Sequence, residues 1–453
     1  MRVASWVKRL AAAPALFILA VGAGPVYGAG FAIYEQSTTG LGTAFAGAAA
    51  VAEDASTIFY NPAGMTRLPN NNAVATISPI FPQADYTDGG SVTFNPFFPM
   101  GPPAFPTSGA TTDDGGTPVV SGGAYFSHQM SNDVWFGIGI NSPYGLSTEY
   151  DPGWVGRYHA VKSQLLTFNI NPAMAFKVSE SLSLGVGVNF QFAYAELTNA
   201  IDGGLGFPPA VGGPFPGQFD SYIDINGVSL GFGVNAGFIW EPFDGTRLGV
   251  HYRSPVTHNL SGDADLIVNP ATPFLPSKAN AHAEITLPDT LAISVFQSLS
   301  PEVDVVADAT WTDWSYLDAL VVKLGGPPLG TSTTVLNWEN TWRISGGVIY
   351  RPDDRWTLRA GYAYDETPIP SAALRTARIP DNTRHWATIG ASYVIDEHVE
   401  ASAAYAHLFV EKTTIQNVDP TGAHLLAGSY DSSVDIFSLQ LTTSFESVDE
   451  IFE

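Results

Sequence analysis

Apolar and polar residues alternate one by one along most of the chain. In Ser181–Ala195, Leu182, Leu184, Val186, Val188, Phe190, Phe192 and Tyr194 share one face, while Ser181, Ser183, Gly185, Gly187, Asn189 and Gln191 share the other. Ser229–Trp240 repeats the scheme, with Leu230, Phe232, Val234, Ala236, Phe238 and Trp240 set against Ser229, Gly231, Gly233 and Asn235. Arg343–Tyr350, Arg355–Tyr364 and the last segment, where Phe437, Leu439, Leu441, Thr443 and Phe445 oppose Ser438, Gln440, Thr442 and Ser444, follow suit. A period of two marks a strand with one buried face. A soluble sandwich alternates too, but soluble strands peak near five or six residues, and many of these are about twice that length or more. Their polar faces hold Ser, Gly, Asn and Gln rather than Lys and Glu, which suits a barrel lumen. Trp135, Trp240, Trp311, Trp314, Trp356 and Trp386 lie near strand ends, as interfacial girdles do.

The pattern gives strands at 73–87, 117–129, 133–141, 161–178, 181–198, 222–240, 245–262, 279–299, 302–316, 335–351, 355–366, 381–395, 398–412 and 430–445. Fourteen is an even number, and short and long connections alternate between them. The fold class expected is all-β, a 14-stranded antiparallel transmembrane β-barrel with both chain ends on the short-turn side. The alternation is weakest over 142–178, where Pro143 and Pro172 interrupt it. A second Asn-Pro-Ala at Asn171–Ala173 reads as a local break.

The start of the chain does not fit a strand. Arg2, Lys8 and Arg9 precede the apolar run Leu10–Val21, and Val26-Tyr27-Gly28 suits cleavage after Gly28. Residues 1–28 therefore read as a signal peptide. The next stretch, 29–68, is too rich in Phe, Ile and Ala for a solvated tail, and Gly40, Gly42 and Gly47 weaken any helix. It needs burial, and the lumen of the barrel (69–445) offers it; this segment reads as a hatch. Pro62 restricts Asn61 and fixes a bend there. An acidic tail, 446–453, trails the last strand.

Charge narrows the function classes. Only 14% of residues are charged, and Asp plus Glu outnumber Lys plus Arg by 43 to 19. Loss of Arg2, Lys8 and Arg9 with the signal moves the net charge from −24 to −27. Nucleic acid is not a partner for such a chain, because phosphate binding needs a basic face. With no cysteine there is no disulfide frame, thiolate metal site or cysteine nucleophile. The nine histidines show no His-Glu-x-x-His spacing, and no Gly-x-Ser-x-Gly elbow occurs. An enzyme is not expected, and neither a cofactor nor a metal.

Several motifs in order carry a resemblance: Ala29-Gly30-Phe31, Ser37–Gly47 (STTGLGTAFAG), Asp54-Ala55, Asn61-Pro62-Ala63-Gly64, Pro143-Tyr144-Gly145-Leu146, Leu287-Pro288-Asp289-Thr290, Trp311-Thr312-Asp313-Trp314-Ser315, and the block Trp338–Trp386. Together they make the chain similar to the long-chain fatty acid outer-membrane transporter (FadL) family, which includes an aromatic-hydrocarbon uptake branch. The resemblance spans nearly all of the chain after residue 28. It implies a Gram-negative outer-membrane location, surroundings of lipid and lipopolysaccharide, insertion by the barrel assembly machinery, and a hydrophobic small-molecule ligand. It further implies loop capture, a lumen pocket and hatch-gated lateral release. Long-chain fatty acids are the substrate it favours, with aromatic hydrocarbons or alkanes as the alternative. A general porin and a surface receptor are competing readings, and a plugged barrel needs no second copy, so a monomer is expected.

The candidate residues follow. Phe31, Ile33, Phe45, Ile58 and Phe59, together with Leu41, line a pocket or pack the hatch, and Asn61, Pro62 and Ala63 form its mechanical bend. The loops Phe94–Phe105 and Ile201–Phe219 expose costly apolar surface, so Phe97, Phe98, Phe105, Phe207 and Phe215 are surface-capture candidates. A carboxylate ligand would want a lumen cation: Arg343 and Arg359 fall on inward faces of adjacent strands, and Arg157 and Arg384 lie near loop ends, as do Lys162, Arg375 and Arg378. Phe445 suits the aromatic end that barrel assembly recognises.

Overall fold

A computed structural model describes residues 30–94, 104–206, 217–271, 275–326 and 329–446. The signal peptide, Ala29, Phe97, Phe98, Phe207, Phe215 and the tail after Glu446 lie outside these residues. The barrel strands are β1 (Asn71–Asp88), β2 (Val119–Ser131), β3 (Val134–Asn141, resuming as Gly145–Glu149), β4 (Lys162–Ser179), β5 (Leu182–Ile201), β6 (Ser221–Phe243) and β7 (Thr246–Arg253, resuming as Val256–Ile267). They continue as β8 (Lys278–Leu287, resuming as Thr290–Ser298), β9 (Val303–Thr312), β10 (Thr341–Tyr350), β11 (Trp356–Asp365), β12 (Arg384–Val394), β13 (Val399–Val410) and β14 (His424–Phe445). Each pairs antiparallel with the next, and β1 closes on β14 from Asn71↔Phe445 to Asp88↔Gly428. The ring of pairings thus closes on itself, as a wall facing hydrocarbon requires.

The alternation decides which way each side chain points. Val186 (51% exposed), Phe232 (60%) and Leu439 (61%) face outward, whereas Asn189, Gln191 and Asn235 are buried inside. Parity also corrects the aromatic girdle. Trp240 and Trp356 are on the outer face, but Trp135, Trp314 and Trp386 are buried in the interior. Trp135 Nε1 donates to the Leu68 carbonyl (3.3 Å), and Trp386 packs edge-on to Phe45.

Prolines interrupt three strands, because a strand proline offers no ladder N–H. The Ser254-Pro255 and Pro288-Asp289 breaks split β7 and β8 at neighbouring positions, Val256↔Leu287 and Arg253↔Thr290 being paired on either side. The third break reshapes the wall. The last pair between β2 and β3 is Ala124↔Ile140, after which β3 turns inward through Ser142-Pro143-Tyr144. It resumes as Gly145–Glu149, paired with β4, where a wholly looped 142–160 was expected. Contact with the β2 side returns at the single bridge Gly116↔Thr148. A break in the wall therefore lies between β2 and β3. Pro172, in contrast, does not break β4: Asn171 Nδ2 donates to the Val188 carbonyl (2.9 Å), supplying a donor where proline has none.

Inside the barrel, residues 30–68 form a compact plug. Its helices are α1 (Thr38–Gly42), α2 (Ala48–Val51) and α3 (Thr57–Tyr60), followed by a 3-10 turn at Pro62–Arg67. Each is only a turn or so, too short to stand alone; the wall holds them. Phe31, Ile33, Leu41, Phe45, Ile58 and Phe59 are all at least 92% buried. Wall glycines admit the plug backbone: a Cβ on Gly249 would lie 2.0 Å from the Ala49 carbonyl oxygen, and one on Gly185 2.1 Å from the Ala63 nitrogen.

Candidate functional site

Two cavities share the lumen, and the first residues of the plug lie between them. The outer one, on the side of the long loops, holds about 910 Å³ of free space. Its lining includes Leu165, Leu197, Ile225, Leu260, Ile285 and Leu320, with Phe31 as its floor. The inward face of β5 shows how the sequence builds this. It reads Gly185 against the plug, then Gly187, Asn189 and Gln191 among the wall side chains Asn171, Asn235, Arg253 and His258, then Ala195 and Leu197 lining the cavity. The inner cavity, about 630 Å³, is lined by Ile33, Tyr34, Phe45, Phe59, Tyr60, Pro143, Tyr144, Arg253 and Arg343.

The divider is a short strand-like pairing of plug to wall. Ala32 bridges Tyr144, the Ile33 N–H donates to the Pro143 carbonyl (2.9 Å), and the Gly145 N–H donates to the Phe31 carbonyl (2.9 Å). Gln36 adds two bonds, giving its amide hydrogen to Ser142 O (2.7 Å) and accepting from Ser142 N (3.3 Å). Phe31 itself sits in an aromatic nest, with ring centroids 5.0 Å from Trp314, 5.7 Å from Trp338 and 6.1 Å from Tyr144. Gly30 carries φ +65°, and a Cβ there would meet Trp314 at 2.9 Å, so glycine is required both for its backbone and for its size. The segment that floors the outer cavity thus also holds the inward kink of β3 beside the wall break.

The plug is fastened by arginines and amides. Arg343 donates to the Ala44 carbonyl (2.9 Å), Arg253 to the Phe59 carbonyl (2.9 Å), and Arg247 to the carbonyls of Ala50 (3.1 Å) and Val51 (2.5 Å). Glu53 pairs with Arg359 (2.6 Å) and Arg351 (3.6 Å). Burial works to raise the Glu53 pKa, but Arg359, Arg351 and Arg247 together outweigh it and hold the carboxyl below its ordinary value. Asn61 caps the 3-10 turn by accepting from Ala63 N (3.1 Å), and its Nδ2 reaches the carbonyls of Ala49 (2.8 Å), Phe238 (3.0 Å) and Val250 (3.4 Å). Asp54 accepts from Thr39 (2.9 Å) and from Gln440 of β14 (2.8 Å).

Glu35 is the exception. It is fully buried, and neither carboxylate oxygen meets a donor from another residue. Burial raises its pKa to about 7 despite Arg343 and Arg384 nearby.

The structure sorts the sequence candidates. Phe31 faces the outer cavity; Ile33, Phe45 and Phe59 line the inner one. Ile58 and Leu41 line neither of these two cavities: Ile58 joins Met65 beneath Gly137, and Leu41 sits among Trp386 and Leu408. Among the cations, Arg359 is bound to Glu53, Arg157 to Asp220 (2.7 Å) and Arg384 to Asp381, while Arg343 both lines the inner cavity and clamps the plug. Phe105 lies in the short strand Ala104–Pro106 near the barrel mouth. Three functional residues were not singled out from sequence. Arg253 and Arg247 are inward by the same alternation that located Arg343, and Tyr144 lay in a motif read as part of a loop.

A closed barrel with an apolar outer wall, a lumen plug and an apolar cavity behind its loops defines a class: a plugged membrane barrel that carries hydrophobic small molecules. Residues 19–445 match the family described as outer membrane protein transport protein (OMPP1/FadL/TodX), and the chain belongs to it. It is 28% identical to the long-chain fatty acid transport protein of Escherichia coli O6:H1, covering 84% of this chain and 87% of that relative. The crystal structure of a Pseudomonas aeruginosa FadL homologue superposes with a TM-score of 0.82 at 26% identity, over 92% of this chain and all of that one. The toluene transporter TodX of P. putida shares the fold, with a TM-score of 0.65 at 17% identity over 87% and 94% of the two chains. The protein is an outer-membrane transporter of hydrophobic substrates, and its family is one of transport channels rather than enzymes.

Proposed function

We propose that this protein takes up long-chain fatty acids across the outer membrane and releases them sideways. Apolar solute gains roughly 25 cal/mol per Å² of surface removed from water, so a water-filled pore offers it no advantage. In this reading the outer loops collect the solute, Phe105 and the Phe-rich stretches 94–105 and 201–219 taking part. The chain then fills the outer cavity above Phe31. A shift of Gly30–Gln36 opens the way to the inner cavity and frees the β3 kink, and the solute leaves through the break between β2 and β3. The observation that carries this is the set of hydrogen bonds between Phe31, Ile33 and Gln36 of the plug and residues 142–145 of the wall, because it ties the cavity floor to the wall break. Asn61-Pro62-Ala63 is the proposed pivot, being the plug's most heavily bonded bend.

An aromatic solute is the second reading, favoured by the Phe31–Trp314–Trp338 nest. We further propose that the protein works as a monomer among lipid and lipopolysaccharide. Phe445, the last residue of β14 and stacked with Phe126 (6.2 Å), would be its assembly signal. Uptake of radiolabelled oleate and toluene by cells with and without the protein tests the function. Oleate entry is expected to fall several-fold without it; equal entry of both solutes in the two strains would refute transport.

A further inference from the structure

We infer that the outer cavity has a second entrance, a seam in the wall between β8 and β9 through which an apolar solute already dissolved in the outer leaflet enters sideways, without passing the loops. This rests on the reading of the outer cavity as the solute's site. The seam starts at Pro288, which has no N–H for a ladder. Below it, β8 pairs with β9 from Ser298↔Asp304 to Thr290↔Thr312. Above it, the chain leaves β9 through the 3-10 turn Trp314–Tyr316. The short strand Ala319–Leu324 takes the place of β9, but it meets β8 only at Ala281↔Leu324, His282↔Lys323 and Ala283↔Val322. The next backbone link is the bond from the Asp313 N–H to the Asp289 carbonyl (3.1 Å). Among the described residues, 284–288 therefore have no ladder partner on this side, and 284–287 pair only with β7. At about 3.4 Å per residue, about 17 Å of wall lacks a ladder there.

Side chains close the seam instead. The register of the short strand, carried on by two positions, puts Ile285 opposite Leu320, and both line the outer cavity together with Leu317. Ile285 and Leu320 are only half-buried. Glu284 borders the same cavity and is exposed on the outer face, so the cavity reaches the edge of the wall here. Parting apolar side chains breaks no hydrogen bond, whereas opening a ladder does. The seam is thus the part of this wall that opens at least cost. Its level suits a solute in the leaflet. The row Tyr252, Leu291, Trp311 and Trp342 crosses four strands just below it, and Tyr252, Trp342 and nearby Tyr316 are exposed outward, as an interfacial girdle is. The foot of the seam is held from inside: Tyr144, at the β3 kink, donates its hydroxyl to the Pro288 carbonyl (2.7 Å). A solute passing between Ile285 and Leu320 arrives directly above Phe31, on the apolar lining.

The test uses the full-length protein in phosphatidylcholine nanodiscs, with a neutral hexadecyl diazirine dissolved in the bilayer. Brief irradiation and mass spectrometry then read the label on cavity peptides that hold Leu165, Leu197 and Ile225. Ile285→Cys with Leu320→Cys closes the seam on oxidation and reopens it on reduction, since the chain has no other cysteine. Cavity labelling is expected to fall at least fivefold on oxidation and to recover on reduction. A diazirine-bearing butanol delivered from water should label the cavity equally in both states, which reports that the cavity is intact. Leu320→Arg, which sets a charge in the seam, should lower labelling from the bilayer several-fold without any oxidant. Equal labelling from the bilayer in the oxidised and reduced forms, with the crosslink verified on a gel, would overturn the seam and spare the cavity. Should the crosslink not form, unchanged labelling in Leu320→Arg would overturn it. Loss of label from both probes on closure would also overturn it, since that marks a packing role. Wild type with no label on the cavity peptides from either probe would overturn the seam and the cavity's role together.

Discussion

At the scale of single residues, the plug is held by groups whose charge or hydrogen bonding is satisfied only when it is seated. Asn61 is the clearest case, with one amide serving four partners across the plug, β6 and β7. Asn61→Ala should weaken seating by about 2–3 kcal/mol, since buried carbonyls lose their donor. The expected readout is a rise in ion conductance in planar bilayers, with the barrel's heat resistance on gels retained. Arg359→Met should have the same direction, because Glu53 keeps only the longer contact to Arg351. Alternation in the sequence was enough to turn Arg343 and Arg359 inward. It was not enough to tell a ligand cation from a plug clamp, because the partners at Ala44 and Glu53 are about 300 positions away.

At the scale of elements, the strands were legible because a period of two is a local property of the chain. What was not legible was where a strand leaves the wall. Pro143, Pro255 and Pro288 each mark an interruption, yet Pro172 does not, since Asn171 replaces the missing donor. That depends on a neighbouring strand and not on the proline. The gradient along β5, from Gly185 to Leu197, did lie open in the alternation and divides plug contact from cavity. Within the plug, Glu35 makes seating depend on pH. Displaced into water its carboxyl titrates near its ordinary 4.5, and seated it titrates near 7. The seated state therefore holds a proton that the displaced state has lost, and seating is strongest below about pH 4.5. It weakens as pH rises through 7, by on the order of 3 kcal/mol. Conductance measured from pH 4.5 to 8 should rise accordingly, and Glu35→Gln should flatten the profile at the low, seated level. A Glu35→Gln profile as steep as wild type would remove Glu35 from this role.

At the scale of the whole molecule, the barrel, the plug and the wall break form one device. Fourteen strands bring both ends of the wall to the short-turn side, and the plug enters from there and reaches up to the floor of the outer cavity. The same plug segment secures the β3 kink, so filling the cavity and opening the wall share one mechanical link. Truncation of Phe31 should expose this coupling: Phe31→Ala removes the ring between Trp314, Trp338 and Tyr144, and should lower oleate uptake by tenfold or more while the barrel still assembles. Unchanged uptake would mean that Phe31 only packs.

The most direct measurement uses the absence of cysteine from the chain. Ala32 and Tyr144 are opposed with hydrogen bonds on either side of them, the antiparallel arrangement in which Cα atoms are closest, and within reach of a disulfide. Oleate uptake is followed in cells carrying Ala32→Cys with Tyr144→Cys, oxidised and then reduced, beside Tyr144→Cys alone. The account predicts that the crosslink stops uptake and that reduction restores it to the level of the single variant. Equal uptake by the oxidised and reduced forms, with the crosslink verified on a gel, would contradict a plug that must leave β3 for transport to occur.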